Sequence, residues 1–346
     1  MIENPVYCMS SYLMYRMIVS DDYCFSNKYK PKLANIFFDR YPVYNSNDLY
    51  NHLREIMEQY TTDGASALAL SGGIDSAILA SMMPKGSTAY TFRCVVPGVS
   101  VFDESNVASL IAKKFGLEHK IIDIYWEDIL SSMNCLMKNK GSPFHSIESQ
   151  IYKACVFAKD DGFKRMIFGE NADIIYGGMD GLLKKDWTFG EYVDRYSYIL
   201  PYKVLRDYQL ILEPYKKYES NGFVDSYGFT NEYFRREALG TYNNACSSAG
   251  IEFVGPYSLT ELKSPLDLTR IRSGDSKYLV REVFKKIFGN YSMPPKIPMP
   301  RATNEWMNDW SGPEHPSFYP QLSGDFTGDQ KWMIYCLEQF LNMINY

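Results

Sequence analysis

The residues best suited to chemistry in this sequence form the stretch SGGIDS, which runs from Ser71 to Ser76 between an apolar segment and a helical pattern. Gly72 and Gly73 can adopt backbone conformations closed to other residues, and neither has a side chain that would keep an anion from the main chain. Backbone N–H groups at the start of a helix attract anions, and the two serine hydroxyls add donors. Asp75 would repel a bare phosphate, so we interpret it as a ligand of the Mg²⁺ that accompanies a polyphosphate. A glycine turn followed by a helix cap is the alternative that requires no ligand.

A second group of polar residues lies about a hundred residues further on, in the segment FGENADIIYGGM at 168–179. Glu170 and Asp173 supply two carboxylates, and Gly169 permits a close turn. The segment follows an apolar strand pattern, and in a doubly wound parallel sheet the loops after neighbouring strands meet at the carboxyl edge. We therefore expect this segment to lie beside SGGIDS across a ligand cleft. A capped surface turn is the alternative interpretation of the segment taken alone.

Both loops need a parallel sheet to position them, and the hydrophobic pattern of the first half of the chain predicts one. Short apolar segments rich in β-forming residues alternate with amphipathic segments, which is typical of an α/β fold with helices on both faces of the sheet. Asp103 is expected to cap the second of these helices and Gly116 to end it. The predicted strands are 65–70, 87–96, 119–124 and 165–169, and the predicted helices are 75–83, 103–116 and 147–158.

The segment after about Gly178 has a different pattern, because long amphipathic stretches rich in Tyr, Leu and Lys replace the short apolar strands. We predict that this half is mainly helical. Its last helix is expected to begin behind Asp329 as a cap and to pack an apolar stripe against the domain, with a dimer interface as the alternative. The stripe consists of Trp332, Met333, Cys336, Leu337, Phe340 and Ile344. The predicted division is a short N-terminal segment at 1–55, an α/β core at 56–180 and a helical substrate-side region at 181–346.

Composition argues against several classes of function. A formal charge of −5 without a dense basic block does not suit a protein that binds nucleic-acid backbones. Seven scattered cysteines without a CxxC pair argue against a disulfide framework, a zinc site and a thiol redox pair, and they favour a reducing cytoplasm. No stretch approaches the roughly 18 apolar residues of a membrane span, and Glu3 precedes any basic residue, unlike a signal peptide. The four histidines have no metal-ligand spacing; they are His52, His119, His145 and His315.

The first motif is not a Walker A loop, because it lacks a GKS or GKT ending. It resembles the SGGxDS signature of the PP-loop ATP pyrophosphatases, which cleave ATP between its α and β phosphates. Together with the second motif it resembles the synthetase domain of the asparagine synthetase family, whose second loop reads roughly GEGADExxGGY. The ADI and GGM of the second motif are also similar to the β-lactam synthetase variant, GxGADIxxGGM.

This resemblance implies a PP-loop fold that uses ATP and Mg²⁺, with Asp75 and Asp173 as the metal ligands. The position of Glu170 is Glu in asparagine synthetases, where it assists the attacking amine, and Tyr in β-lactam synthetases. The resemblance also implies that a set of residues contacts the nucleotide; these are Leu70, Ser71, Gly72, Gly73, Asp75, Ser76, Cys94 and Gly169.

Near the C-terminus, SKYLVREVFKKIF resembles the helix that precedes the family's RxKxGF loop, and the loop here reads MPPKIPMPRATNEW. On this register Lys296 matches the lysine that steadies the pentavalent transition state, a role that suits a positive charge beside an α-phosphate. Arg301 is the second candidate for that charge, and a solvated surface residue is the alternative for Lys296. Three family positions of this loop differ here, at Pro294, Pro298 and Met299.

Family members that use glutamine carry a glutaminase domain whose nucleophilic cysteine follows the initiator methionine. Here Ile2 stands at that position, and only about 55 residues precede the synthetase region. We therefore expect the nitrogen to come from free ammonia, from a separate glutaminase or from an amine on a small molecule. Asp267 and Arg272 are candidates for the substrate side, with a surface ion pair as the alternative.

The predicted function is an ATP-dependent synthetase that adenylates a small-molecule carboxylate, releases pyrophosphate and forms an amide bond. Neither nucleic acid nor a membrane is an expected partner, and oligomerisation is open. One rival hypothesis is a non-catalytic nucleotide-binding or scaffold protein. The other is a PP-loop sulfur-transfer enzyme acting on tRNA, for which the paired reactive cysteines and the basic face are missing.

Overall fold

The structure is a computed structural model that describes residues 1–36, 38–289, 299–322 and 324–346. Its strands, in chain order, are β1 (Ile2–Glu3), β2 (Tyr23–Cys24), β3 (Tyr41–Val43), β4 (Ser66–Ala69), β5 (Thr88–Cys94), β6 (Glu118–Ile124), β7 (Arg165–Ile167), β8 (Trp187–Thr188), β9 (Glu219–Ser220), β10 (Phe223–Val224), β11 (Glu252–Val254) and β12 (Thr260–Leu262). Its α-helices are α1 (Pro5–Tyr15), α2 (Ser46–Thr61), α3 (Ile74–Ala80), α4 (Ser105–Phe115), α5 (Trp126–Lys140), α6 (Glu148–Asp160), α7 (Ala172–Ile175), α8 (Asp180–Leu183), α9 (Phe189–Tyr196), α10 (Glu213–Lys217), α11 (Ser226–Phe229), α12 (Arg235–Ala249), α13 (Leu268–Arg272), α14 (Tyr278–Phe288), α15 (Thr303–Trp306) and α16 (Gly328–Ile344).

The central sheet has five strands in the order β11-β7-β4-β5-β6, and every pair runs parallel. The chain builds β4, β5 and β6 outward in one direction and then returns to the other side of β4 to form β7 and β11. All four residues of β4 are buried, as expected for a central strand with helices on both faces. The direction of winding reverses between β4 and β7, which makes the crevice outside their carboxyl ends the position for a ligand. The predicted parallel, doubly wound α/β fold is confirmed.

The four predicted strands correspond to β4, β5, β6 and β7, whereas β11 was not predicted. Phe253 of β11 pairs with Met166 of β7, so the second half of the chain completes the same sheet. A strand of three residues carries too little periodicity to be recognised within a helical region. The division of the chain at residues 55 and 180 stays a prediction.

Two apolar cores cover the two faces of the sheet. Helices α5, α6, α12 and α16 pack on one face, and α2, α3, α4 and α14 pack on the other. On the first face, Cys155 of α6 and Cys246 of α12 bring their sulfur atoms to 3.5 Å from each other. Burial and the neighbouring thiol raise the pKa of Cys246 well above its usual value, so its protonated thiol packs against the sulfur of Cys155.

A third apolar cluster, rich in tyrosine, joins the end of α1 to the helical half of the chain. Tyr15 packs among Tyr196, Tyr215 and Tyr233, and its hydroxyl donates to the carbonyl of Ile211 at 2.5 Å. These contacts satisfy the buried phenol and fix the last turn of α1. Arg16, the residue that follows Tyr15, is therefore held in one place.

The last helix, α16, buries the predicted stripe against the domain, since Trp332, Cys336 and Phe340 are almost fully buried. The predicted cap at Asp329 is wrong. Thr327 caps the helix instead, because its hydroxyl accepts from the Gln330 N–H and the Gln330 side chain accepts from the Thr327 N–H. Asp329 lies in the first turn, where its carboxylate binds other partners. Among the helices of the described ranges, none has the length and apolar character needed to cross a membrane.

Candidate active site

The segment Ser71–Ser76 connects the carboxyl end of β4 to α3 through a loop that hydroxyl groups hold in shape. Ser76 Oγ accepts from the Ser71 N–H at 3.1 Å and lies 2.9 Å from Ser71 Oγ. Ser71 Oγ in turn accepts from the Gly73 N–H at 3.2 Å, and the Gly72 N–H points to Glu104 Oε2 at 3.4 Å. The N–H groups of both glycines thus face oxygen acceptors of the kind that a phosphate also presents.

The second loop, 168–178, follows β7 and touches the first loop. A Cβ atom on Gly169 would lie 3.1 Å from both Asp75 Cβ and the Ser76 backbone nitrogen, so any side chain there would push the two loops apart. Asn171 adopts a left-handed conformation with φ of 69°, and its amide donates to Ser258 Oγ at 2.8 Å. The predicted meeting of the two loops is therefore present in the structure.

Lys277 joins the carboxylates of the two loops. Its Nζ lies 2.5 Å from Asp75 Oδ1 and 2.9 Å from Asp173 Oδ1, and its side chain is only 5% exposed. The absence of a side chain at Gly178 is required here, because a Cβ would collide with both Asp173 and Lys277. Sequence reasoning missed Lys277. The sequence did contain a signal. A lysine directly before a helix places its positive charge at the positive end of the helix dipole, which is unfavourable unless another contact compensates it.

The carboxylates of Asp75 and Asp173 fit a magnesium ion that arrives with a nucleotide. Both already share one cation, so their oxygens converge on the same point. Mg²⁺ is usually bound through one or two carboxylates together with substrate phosphates and water. Across the described ranges no group of three or more His, Cys, Asp or Glu residues could hold a metal alone. The donor set thus suits a metal that the substrate helps to bind.

A cavity of about 320 Å³, which we call the first cavity, lies between these loops and the helical half. One wall is formed by the two loops, and the opposite wall by α12, α6 and the end of α1. On that opposite wall the Tyr242 hydroxyl is hydrogen-bonded to Glu170, and burial followed by this carboxylate raises the pKa of Tyr242 well above its usual value. The predicted site residues that line the cavity are Leu70, Ser71, Gly73, Asp75, Ser76, Gly169, Glu170, Asp173 and Arg301.

Three residues predicted to bind or act on the nucleotide are not placed on the wall of the first cavity. Gly72 and Cys94 are not among the described residues that line the first cavity, although Phe92 and Arg93 of the same strand as Cys94 are. Burial raises the pKa of Cys94 to about 11, which makes it a protonated packing residue. Lys296 falls in 290–298 and lies outside the described residues.

Arg301 lines the first cavity, but its charge is committed to Asp329. The guanidinium Nε lies 2.7 Å from Asp329 Oδ1 and 2.9 Å from Oδ2, and Nη2 binds Oδ2 as well. Although burial opposes ionisation, hydrogen bonding from Arg301 holds the pKa of Asp329 below its usual value. The bidentate hydrogen bonds fix the geometry of this pair in addition to the attraction between its opposite charges.

The two substrate-side candidates lie on the surface side of α13. Asp267 caps this helix by accepting from the Arg270 N–H at 2.9 Å. Arg272 pairs with Asp186 at 2.6 Å and donates to the Leu183 carbonyl. Neither residue is among the described residues that line the first cavity.

A second cavity of about 470 Å³ adjoins the first and shares four lining residues with it, namely Arg16, His145, Phe234 and Arg301. Its remaining wall comes from the helical half, with apolar surface from Tyr196, Trp332 and Met333. Sequence reasoning missed Arg16 and His145 as site residues. Neither stands in a motif, and only the fold brings α1 and the turn before α6 together.

Comparisons with known proteins find a family match for part of the chain. A family model described as asparagine synthase matches residues 49–254. A search of curated proteins finds no match to this chain.

Several solved structures are similar to parts of the chain. The NH3-dependent NAD synthetase from Campylobacter jejuni subsp. jejuni NCTC 11168 in complex with the nitrate ion is 17% identical, with 38% of this chain and 60% of that chain covered and a TM-score of 0.26. The chain thus spans about 60% of the length of that synthetase. The NMN synthetase from Francisella tularensis is 13% identical over 74% of this chain and 100% of that chain, with a TM-score of 0.28. The U34-tRNA thiolase NcsA from Methanococcus maripaludis with its 4Fe-4S cluster is 14% identical over 72% and 83%, with a TM-score of 0.24.

Proposed function

The chain belongs to the asparagine synthase family, and from this premise we propose that it is a synthetase that activates a small-molecule carboxylate with ATP and joins it to ammonia or an amine. The products would be AMP, pyrophosphate and an amide, with an acyl-adenylate as the intermediate. One observation supports this most directly. Two loops meet where the winding of the sheet reverses, and they bring Asp75 and Asp173 together around Lys277.

The loop after β4 binds the phosphates in this proposal. The N–H groups of Gly72 and Gly73 exchange their present acceptors, Glu104 and Ser71, for phosphate oxygens. The hydroxyls of Ser71 and Ser76, which now face each other, supply further donors. Donors that are already in position lose little entropy when the nucleotide binds, so the loop favours the transition state through preorganisation.

Asp75 and Asp173 would hold Mg²⁺, which screens the phosphate charges when it is bound. Lys277 keeps the two carboxylates together and adds a positive charge beside the leaving pyrophosphate. Lys296, outside the described residues, stays a candidate for the charge on the α-phosphate. Arg301 is the weaker candidate for that role, because Asp329 already neutralises it.

Glu170 is the group that we propose for nitrogen capture. It lies on the loop beside Gly169 and contacts Tyr242 on the opposite wall. A carboxylate in this position can accept a proton from the attacking amine or orient it toward the acyl carbon. Tyr242 would act by positioning Glu170.

The sulfur-transfer hypothesis lacks support at the cavity. Such chemistry requires reactive thiolates near the activated substrate. None of the described residues that line either cavity is a cysteine. The paired thiols of Cys155 and Cys246 are buried between helices. The free cysteines agree with the proposed location in a reducing cytoplasm.

Analysis of the nucleotide products tests the proposed function. Purified protein is incubated with MgATP, ammonium and a pool of small metabolites, and AMP is distinguished from ADP. We expect AMP and pyrophosphate from the native protein and neither from Asp75→Asn, which should remain folded. Asp63→Asn is the matched control, because Asp63 pairs with Arg165 at the edge away from the loops. ADP as the product would contradict the proposal, and the absence of any product would favour the non-catalytic hypothesis.

A further inference from the structure

Arg16 reaches the junction of the two cavities from the end of α1. It caps that helix in a left-handed conformation with φ of 57°, which a residue with a side chain adopts only at a cost. Its guanidinium Nη2 donates to Tyr198 Oη at 2.5 Å and lies 3.3 Å from Glu237 Oε2. Its Nε is buried and has no hydrogen-bond partner within the part of the chain that the structure describes. Both terminal nitrogens of the guanidinium therefore have polar neighbours, whereas Nε has none among the described residues.

His145 meets the guanidinium of Arg16 at Nη1. The imidazole Nδ1 accepts from the Ile147 N–H at 3.1 Å, which leaves its proton on Nε2. Nε2 faces Arg16 Nη1, which can only donate. A neutral imidazole has a single acceptor nitrogen, so it cannot accept from both the Ile147 N–H and Arg16 Nη1. With the acceptor used by Ile147, the Nε2–H and Arg16 Nη1 are two opposed donors. Burial, and then the charges of Arg16, Arg301 and Lys140, hold the pKa of His145 well below its usual value, so the ring is neutral.

Gln150, on the first turn of α6, adds a third unsatisfied group to the same wall. Its side chain is fully buried and lines the first cavity. Neither its amide oxygen nor its amide nitrogen has a partner among the described residues. Leaving a buried polar group unpaired destabilises a protein by about 1 to 3 kcal/mol, and in a side chain that lines a cavity a bound ligand can supply the missing partner.

We propose that Arg16, His145 and Gln150 form the binding site for the carboxylate of the organic acid substrate. A carboxylate accepts only, and it would satisfy the opposed donors of Arg16 and His145 together with the Gln150 amide. Glu237 offsets only part of the charge of Arg16, through a single contact at 3.3 Å, so the site suits one carboxylate and not a polyphosphate. The identification of this acid as the substrate rests on the proposed function.

The remainder of the acid would extend into the second cavity, which Arg16 and His145 also line. Apolar and polar side chains contribute to its wall in similar measure, so an acid whose body carries an apolar group beside polar ones would fit it. The apolar part is formed by Met179, Leu182, Tyr196, Phe234, Trp332 and Met333, and charged groups come from Asp194, Arg195 and Asp329.

Binding of defined acids and their amides tests the site. The probes are benzoate, phenylacetate, 3-phenylpropionate and hexanoate, each compared with its carboxamide by ligand-observed NMR and calorimetry on the full-length protein. We expect at least one acid to bind about tenfold or more tightly than its carboxamide. Arg16→Met should remove this preference, whereas Arg54→Met, a change on the exposed face of α2, should retain it.

Gln150→Met provides a test that does not depend on the stability of Arg16→Met. Replacing an unpaired buried amide by an apolar group of similar size should raise the melting temperature of the ligand-free protein by about 2 °C or more. The same change should weaken binding of the acid about tenfold. A residue with a merely structural role would destabilise the protein when replaced. Gln59→Met, at an exposed position of α2, is the control.

Three results would overturn the site: equal binding of acid and carboxamide, no binding of any probe to the native protein, or a lower melting temperature for Gln150→Met. Failure of the proposed function gives a different result. If the acids bind through Arg16 but ATP yields no AMP with any acid, the function fails and the site stands. If AMP forms and the KM for the acid is unchanged in Arg16→Met and Gln150→Met, the site fails and the function stands.

Discussion

The two walls of the first cavity are built in different ways. The nucleotide wall consists of the loops after β4 and β7 together with Lys277, and its charged groups are already paired with one another. The substrate wall consists of Arg16, His145, Gln150, Glu237 and Tyr242, which come from α1, the turn before α6, α6 itself and α12. Within the described ranges this wall keeps three buried polar atoms without partners, on Arg16 and Gln150, whereas the nucleotide wall keeps one, Asn171 Oδ1.

The nucleotide wall therefore has its charges paired before any ligand binds, whereas the substrate wall needs a ligand to complete its hydrogen bonds. A wall whose charges are mutually satisfied is stable before the nucleotide binds, so its geometry is set by folding. A wall with unpaired donors is less stable until a ligand supplies acceptors. The matched family segment begins at residue 49, after Arg16, so part of the substrate wall lies outside it. We infer that the nucleotide wall activates the carboxylate and that the substrate wall selects the acid.

Removal of Lys277 should have the largest effect, because it breaks the pairing that defines the nucleotide wall. Lys277→Met leaves Asp75 and Asp173 facing each other in a buried site, which should lower the free energy of unfolding by about 3 kcal/mol. Formation of AMP should fall by about two to three orders of magnitude. Millimolar Mg²⁺ should restore much of the lost stability, since a divalent ion can bridge the two carboxylates. Chemical denaturation with and without Mg²⁺ measures both effects.

Two variants make this prediction sharper. Lys285→Met changes an exposed lysine on the same helix, α14, and should alter neither stability nor turnover. In the double variant Asp75→Asn with Lys277→Met, the second carboxylate is gone and Mg²⁺ should no longer restore stability. If Lys277→Met remained as stable and active as the native protein, the nucleotide wall would not depend on this pairing.

The nucleotide wall was largely predictable from the sequence because its parts are local. A β-strand, a glycine pair and a polar helix start lie within ten residues of one another, and the order of strands in a doubly wound sheet brings the second loop alongside. Gly169 and Asp173 therefore lie beside the first loop, as the order of the strands predicts. Lys277 was missed, because it lies 202 residues beyond Asp75 and 104 beyond Asp173, and its position before a helix does not by itself connect it to either loop.

The substrate wall could not be predicted, because tertiary packing alone creates it. Arg16 stands at the end of an ordinary helix, where a basic residue is favourable and gives no functional signal. Its position follows from the tyrosine cluster that fixes α1, and those tyrosines are spread along the chain without a repeat. Asp329 was mistaken for a cap for the same reason. Its partner Arg301 is distant in sequence, and local rules give no indication of their pairing.

Glu170 lies where the two walls meet, so its replacement tests whether adenylation and amide formation depend on different walls. Glu170→Gln keeps the size and the contact to Tyr242 but removes the charge that can take a proton. We expect pyrophosphate exchange, which reports adenylation, to change less than about threefold, while amide formation falls about tenfold to a hundredfold. Both are measured with an acid found by the product analysis.

Tyr242→Phe is the companion variant, because it removes the hydroxyl that positions Glu170 and leaves the carboxylate in place. Its effect on amide formation should be smaller than that of Glu170→Gln and should again spare pyrophosphate exchange. Equal losses in both half-reactions for Glu170→Gln would remove its role in nitrogen capture and assign it to the nucleotide wall.

The smallest expected effect is a pH dependence of stability that originates in the substrate wall. Burial holds the pKa of His145 well below 6.5, and Arg16, Arg301 and Lys140 around it act in the same direction. The unfolded chain therefore binds a proton near pH 6.5 that the folded chain does not bind, so stability is complete above this pH and decreases as the pH falls below it, by at most about 1.4 kcal/mol per unit. His145→Asn should flatten this decrease, leaving a smaller part from His119, whose pKa burial also lowers. A slope in His145→Asn as steep as in the native protein would mean that the imidazole of the substrate wall is not held neutral.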